Sequence, residues 1–514
     1  MTKNITTTQP TGVNRRRLFQ SGAVMAGAAL GSRLSGAAAL EAPPARGLDA
    51  LAKDLHGRLI RPGEPGYLVA AWPNNARWAD VYPSAIAMCV DDHDVRACID
   101  WARQEHQAFA VRSGGHNYAG FSTTRGLLID VKPMSGITLD PKNGLVRVQA
   151  GASNQDMADA LRATGLAVAS GRCPTVGTSG LVLGGGWGFS ATRYGLTCDA
   201  LRATEAVTAD GTLRRASDRP GEENDLFWAA RGGGGGNFAA HTSFTFALHE
   251  VGDVTTFNIV WPAKRQVELM LALQEIQLAH PREVATRSKI APATAASSRR
   301  DQLRVQTLGQ FFGPPARLRE LLAPAFALAE PIVAEINGLN YWSARDYLVT
   351  DDPTGLYDMR SSFVEDRLGG DGLDTMMAWM ERWPGGSLRQ DNMGILFAVG
   401  GQVKAVAPEA TAYVHRRSDF ILEIEASWSP LDTPDVVARQ RAWLAEYFAA
   451  MQPYVQPRSY VNFPSRDLPN WQHAYYGRNL PRLSAVKRQY DPDNIFRFPQ
   501  SIPLDPRTAA AGSE

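Results

Sequence analysis

Net charge is nearly absent from this chain: 53 Lys and Arg stand against 52 Asp and Glu, leaving +1 over 514 residues. That balance gives no basic stripe for nucleic acid or an anionic membrane surface. Cysteine is scarce too. The four cysteines are Cys89, Cys98, Cys173 and Cys198, and they form no CxxC or metal-type spacing. No disulfide framework and no metal site are expected. No apolar run reaches the ~18–20 residues that a membrane span requires. Internal repeats and long low-complexity tracts are missing as well. What remains is a chain long enough for two domains with full cores.

Glycine is the residue in surplus, at 47. Residues 171–188 read Gly-Arg-Cys-Pro-Thr-Val-Gly-Thr-Ser-Gly-Leu-Val-Leu-Gly-Gly-Gly-Trp-Gly. Glycine lets backbone approach a ligand closely, and successive N–H groups form anion-binding nests. With Leu166-Ala167-Val168 before it and Leu181-Val182-Leu183 inside it, the stretch reads as a buried cradle for a large flat cofactor. A second stretch, Ala110-Val111-Arg112-Ser113-Gly114-Gly115-His116-Asn117-Tyr118, begins as a strand and ends in a turn. Its arginine and turn amides suit phosphate, and its histidine suits a ligand or a covalent link.

Periodicity organises the rest. Tyr82 to Val111 predicts strand–helix–strand, with a helix over Asp94–Gln107. Leu127–Val131 and Leu145–Ala150 are predicted strands, Gln155–Thr164 a helix closed by Gly165, and Ala203–Val207 with Asp210-Gly211 a hairpin. The glycine run Gly232–Gly236 has no following Gly-Lys-Ser/Thr and is not a P-loop. From about residue 255 strands alternate with longer helices: Lys264–His280, Ala316–Leu328 and Leu483–Tyr490 are predicted helices. Phe257–Trp261, Val305–Leu308, Met393–Phe397 and Phe420–Trp428 are predicted strands. At the other end, Asn14-Arg15-Arg16-Arg17-Leu18-Phe19-Gln20 matches a twin-arginine signal. A weakly apolar stretch and Ala37-Ala38-Ala39, a small-residue cleavage site, follow it. The expectation is a signal peptide at 1–39, handled by the bacterial twin-arginine export machinery, and a periplasmic or extracellular destination.

Arg-Ser-Gly-Gly-His at 112–116 and Gly-x-Cys-Pro-Thr-Val-Gly at 171–177 together resemble the berberine-bridge-enzyme-like branch of the FAD-linked oxidases, the vanillyl-alcohol-oxidase type of flavin fold. The resemblance covers roughly residues 60–505 and departs from the commonest pattern at Ser179, Leu181 and Ala240-His241. It implies an α+β chain with a two-sheet PCMH-type FAD-binding domain at 40–254. A substrate domain with an antiparallel sheet backed by helices would follow at 255–455, and a C-terminal segment at 456–505 would return to the flavin domain. It implies FAD held twice, through its 8α-methyl on His116 and through flavin C6 on the Cys173 sulfur, which leaves an odd thiol among the other three cysteines. Arg112, Ser113, Gly114, Gly115, Asn117, Thr175, Val176, Gly177, Thr178, Gly180, Gly186, Val207, Tyr460 and Asn462 would line the cofactor.

The implied reaction is oxidation of an alcohol: a proton leaves oxygen and a hydride goes to the flavin. By the resemblance Tyr460 is the base. Free tyrosine titrates near ~10, so this role requires a depressed pKa. Glu423, on one face of a strand with Glu425, is the second candidate, and Tyr118 and Tyr476 are pocket walls. Val176, third after the linking cysteine, implies O2 as acceptor and H2O2 as product. The expected substrate is a sugar, an oligosaccharide or a glycosylated hydroxyl. The alternative is a bulky secondary metabolite such as an alkaloid or polyketide. Gly186-Trp187-Gly188-Phe189-Ser190-Ala191 also matches a nicotinamide fingerprint, but no clean βαβ unit surrounds it. An exported non-enzymatic binding protein is the remaining rival, opposed by His116, Cys173 and Tyr460 standing together.

Overall fold

In a computed structural model, which describes residues 47–292, 299–349, 355–387 and 393–507, the strands fall into three sheets and a two-stranded ribbon. The twin-arginine stretch and the tail from Thr508 lie outside the described residues. The first sheet holds β1 (Arg58–Ile60), β2 (Ala85–Met88), β3 (Phe109–Arg112) and β4 (Leu127–Asp130) in the order β1-β2-β4-β3. Its β2, β4 and β3 run parallel, and β1 is the antiparallel edge. Ala85, Ile86, Ala87, Leu127, Leu128 and Ile129 are all buried, the continuous apolar reading that parallel strands covered on both faces require. The crossover is the helix Asp92–Gln104, whose start is fixed by Asp91 Oδ1 accepting the Asp94 amide at 3.1 Å.

The second sheet is antiparallel: β5 (Ile137–Asp140), β6 (Leu145–Gln149), β8 (Leu201–Thr208), β9 (Leu213–Ser217) and β10 (Ala239–Ala247), ordered β5-β6-β10-β8-β9. The predicted hairpin at Asp210-Gly211 joins β8 to β9. The ribbon pairs β7 (Leu166–Ala167) with β11 (His249–Glu250).

The third sheet has seven antiparallel strands: β12 (Asp253–Trp261), β13 (Val284–Pro292), β14 (Leu303–Phe311), β15 (Val333–Asn340), β16 (Leu356–Val364), β17 (Met393–Ala398) and β18 (Phe420–Trp428). Their order is β15-β12-β14-β13-β17-β18-β16. Strand alternation divides its two faces. Ile259, Val305, Leu396 and Leu422 pack with Leu269, Leu322, Met376 and Leu444 of the four helices behind the sheet. The opposite face carries Phe397, Ile421 and Phe363 into the core shared with the first two sheets. The expected α+β architecture, two smaller sheets plus an antiparallel sheet backed by helices, is therefore what the chain adopts.

Candidate functional site

A cavity of about 380 Å³ lies between the first two sheets, with Phe109–Val111 of β3 on one side and Ala239–His241 of β10 on the other. The turn after β3 and the cysteine loop meet at its wall. They meet because two glycines leave room: a side chain at Gly114 would come within 2.7 Å of the Thr175 carbonyl, and one at Gly177 within 2.5 Å of the Gly114 amide. Ser113 Oγ donates to the Ala150 carbonyl at 2.7 Å. The helix Asn154–Leu161, closed at its start by a reciprocal Ser153–Asp156 capping box, fastens the other loop. Its first amides donate to the carbonyls of Val176 and Pro174, and Asn154 Nδ2 donates to the Cys173 carbonyl at 2.9 Å.

His116 and Cys173 consequently both line the cavity, with His116 Nε2 2.9 Å from Thr175 Oγ1. Ser113, Gly114, Gly115, Asn117, Tyr118, Val176, Gly177 and Gly180 line it too. A Cβ at Gly180 would meet nothing within 4 Å, so this stretch of wall is open. Asn117 Oδ1 accepts the amides of Ala119 and Phe121 and so holds the turn rather than reaching inward. A cavity of this depth, walled by turn amides, a thiol, an imidazole and a stretch of wall without side chains, fits a large flat dinucleotide cofactor.

Five expected cofactor contacts are not among the lining residues; Thr175 stands next to the wall with its Oγ1 on His116, and the other four lie elsewhere. Arg112 is buried with its guanidinium on Asp130, at 2.6 Å from Oδ2, and on the carbonyls of Ala70 and Ala71. It ties β3 to β4 instead of meeting phosphate, because a buried guanidinium takes the nearest carboxylate. Val207 is buried inside β8, opposite Ala240. Thr178 is buried behind the wall, and its Oγ1 has no partner. Gly186 is at φ 90°, where glycine is favoured. It stands behind the cavity wall and donates its amide to Tyr460 Oη at 2.9 Å.

Tyr460 lines the cavity and is 1% exposed. Its oxygen accepts from Gly186 N and, at 3.2 Å, from Asn462 Nδ2, which also donates to the Leu181 carbonyl. Burial pushes the phenol well above its ordinary value, and these donors offset only part of that. This environment does not itself supply the depressed pKa that a tyrosine base requires: no cation is among the causes, and desolvation of the phenolate dominates. Tyr460 therefore keeps its proton at neutral pH.

Glu423 is 4% exposed and sits on β18 directly opposite Ser361 of β16 and Ile395 of β17. Paired residues share a face. This face packs behind Tyr460 and Trp187 of the cavity wall, and Glu423 itself does not line the cavity. Ser361 Oγ meets Ser459 Oγ at 2.8 Å and accepts the Tyr460 amide at 3.1 Å. One row along, Phe397 packs edge-on to Trp187, with centroids 4.8 Å apart. Lys289 lies on the same row as Glu423, across Ile395. Tyr118 closes one side against Tyr357 and Phe463, while Tyr476 is buried in the wall.

Several wall residues carried no legible signal. Trp187 lines the cavity and donates its Nε1 to the Ala398 carbonyl at 2.7 Å, tying the glycine loop to the third sheet. His241, flagged only as unusual, lies in the wall, where burial lowers its pKa to about 4. Thr204 Oγ1 is 2.8 Å from both His241 Nδ1 and the Ser243 carbonyl. The carbonyl takes the hydroxyl proton, so the ring donates from Nδ1. Lys487 is fully buried and donates to the carbonyls of Asn237 and Phe496 and to Asp491 Oδ2, locking the C-terminal segment onto the second glycine run. A lysine on an amphipathic helix reads as surface, and nothing local marks it otherwise.

A family model described as FAD binding domain matches residues 83–217, and one described as berberine and berberine like matches residues 459–503. An uncharacterized FAD-linked oxidoreductase of Bacillus subtilis, YvdP, is 33% identical over 455 residues, 87% of this chain and 98% of that protein. The structure of Physcomitrella patens BBE-like 1 superposes with a TM-score of 0.79 at 27% identity, covering 89% of this chain and 99% of that one. The xylooligosaccharide oxidase of Myceliophthora thermophila, solved with xylobiose, superposes at 0.77 and 26% identity over the same shares.

Proposed function

This chain belongs to the berberine-bridge-enzyme-like FAD-linked oxidoreductases, and from that premise we propose that it oxidises the hydroxyl of a sugar or glycosylated substrate, with O2 as acceptor and H2O2 as product. The observation that carries this reading is the meeting of the two loops: Gly114 against Gly177 sets His116 and Cys173 on one cavity wall. His116 would hold the flavin through its 8α-methyl and Cys173 through C6. Bound there, FAD supplies the hydride acceptor. The relative named as a xylooligosaccharide oxidase supports the substrate class. Val176, in the cavity wall, supports oxygen access.

The chain's own residues then do the following. Glu423 is the base that takes the substrate hydroxyl proton onto its carboxylate, from a sheet face already joined to Tyr460 through Ser361. Tyr460, protonated and held by Gly186 and Asn462, donates its O–H toward the cavity and positions the substrate oxygen. Tyr118 and Tyr476 wall the pocket, and the sheet face excludes water. We assign residues 40–254 to the flavin domain, 255–455 to the substrate domain and 456–505 to the returning segment. The first boundary falls on the second and third residues of β12. We also infer export through the twin-arginine route. No helix among the described residues is long and apolar enough to cross a membrane.

Acid precipitation of the purified protein tests the reading. Flavin colour stays with the pellet in wild type and in His116→Ala or Cys173→Ala, and leaves it in the double variant. Colour that washes out of wild type refutes two-point attachment. A screen of oligosaccharides for H2O2 release then tests substrate and acceptor together.

A further inference from the structure

Away from the cavity, His56, Asp91, His93 and Asp94 each offer one ligand atom, and these atoms all lie within 4.8 Å of one another. We propose that this group is a binding site for a zinc-class divalent transition-metal ion, joining the segment after the helix Leu48–Asp54 to the start of the helix Asp92–Gln104.

Two imidazoles with two carboxylates form the mixed nitrogen and oxygen donor set that suits zinc and its neighbours, whereas calcium and magnesium take oxygen alone. The four residues come from two segments that the fold brings together. Asp94 is fully buried and clamps the junction: its Oδ1 accepts the His56 amide at 2.7 Å, and its Oδ2 accepts the amides of Gly57 and Val90. A carboxylate oxygen has two lone pairs, so Oδ1 keeps one beside the His56 amide. His93 Nδ1 stands 3.8 Å from that oxygen, and His56 Nδ1 stands 2.7 Å from Asp91 Oδ2. The two rings are stacked, with centroids 4.4 Å apart and planes at 12°, so metal binding requires both to tilt out of the stack, in opposite senses, until an in-plane nitrogen of each faces a shared point. Tetrahedral zinc with ~2.1 Å bonds wants ligand atoms roughly 3.4 Å apart. Side-chain rotation of the exposed His56 and His93 supplies that contraction, while Asp91 stays held as the helix cap and offers its other oxygen, Oδ2. Asp54 Oδ1, 3.8 Å from His93 Nε2, adds a further negative charge at the rim. The site is separate from the cofactor wall, so its role is to fasten the N-terminal segment rather than to take part in the oxidation.

Untagged, chelator-treated holoenzyme is titrated with zinc chloride by calorimetry, with thermal unfolding followed in parallel. One zinc per chain and a saturable rise in Tm are expected, with no response to magnesium chloride. His93→Gln and Asp91→Asn each weaken binding by at least ~10-fold, and His56→Ala with His93→Ala together abolishes it. Unchanged flavin absorbance and zinc-free Tm establish that each variant is folded. If the double variant does not fold, the two single changes decide the matter. Wild type without stoichiometric zinc uptake, or folded variants that keep wild-type affinity, would overturn the proposal.

Discussion

The loop wall of the cavity and the sheet face packed behind it, the roof, are made in opposite ways. The wall comes from two short stretches, 112–118 and 171–188, in which residue identity and backbone freedom are written side by side. The roof comes from β16, β17 and β18, where Glu423 matters only because Ser361 and Ile395 lie beside it in register. A motif can specify the first. Only the folded sheet specifies the second, since a shift of one residue would turn Glu423 to the opposite face. Chemistry that holds a cofactor can thus be legible in a sequence while the chemistry that selects a substrate is not.

The largest effect should come from the roof. Glu423→Gln keeps shape and removes the proton acceptor, so kcat should fall by ~10²–10⁴, the range for a positioned acid or base. Flavin attachment, a property of the wall, should be untouched. Stopped-flow reduction with saturating substrate, beside an acid-precipitation assay, reads both. Loss of attachment in this variant would break the division between the two regions.

Next comes the lock within the wall. Gly177→Val puts side-chain atoms against the Gly114 backbone, which cannot swing away as a flexible side chain could. A stability loss of about 1–3 kcal/mol is expected, the usual cost of overpacking. Covalent flavin should fall in parallel, because the same movement separates His116 from Cys173. Denaturant unfolding and the pellet spectrum measure the two. Normal attachment in a destabilised variant would mean that the loops need not be locked to react.

Acid separates the regions in a third way. His241 in the wall and His415, stacked on Phe363 of the roof, are buried and neutral, with pKa values lowered by desolvation to about 4 and about 3. Both lie below the unfolded value near ~6.5. Between these limits the unfolded chain binds protons that the folded chain does not, so stability is present above pH ~6.5 and is lost as pH falls, by at most ~1.4 kcal/mol per unit for each group. His241→Val should flatten the slope down to about pH 4 and leave the His415 part, which continues toward 3. Chemical denaturation at stepped pH checks this.

What was legible follows the same line. The placing of His116 and Cys173 on one cavity wall, the α+β class, β18 at its full bounds and the hairpin of β8 and β9 all rest on local pattern. The motif names Arg112 but not the direction of its side chain, which meets Asp130. Only the pairing of β3 with β4 brings Asp130 against it. The strand β15 escaped notice because nearly all of its residues are exposed or half-buried, which leaves no apolar alternation. Lys487 was invisible because its three partners come from both sides in sequence, one of them 250 residues away.

Tyr460 belongs to both regions, and it gives the finest test. Its oxygen gathers donors from the glycine loop, and its backbone amide is held by Ser361 of the roof. Tyr460→Phe leaves the buried Gly186 amide without its acceptor, so a loss of about 1–2 kcal/mol in stability is expected. As a proton-keeping donor that orients substrate, the phenol should contribute only ~10-fold to kcat, the size of one hydrogen bond. A base would contribute ~10²–10⁴. The variant pair therefore ranks the two residues directly. If Tyr460→Phe outweighs Glu423→Gln, the proton goes to the phenol. Its environment with substrate bound must then lower a pKa that burial raises, and the chemistry would return to the wall.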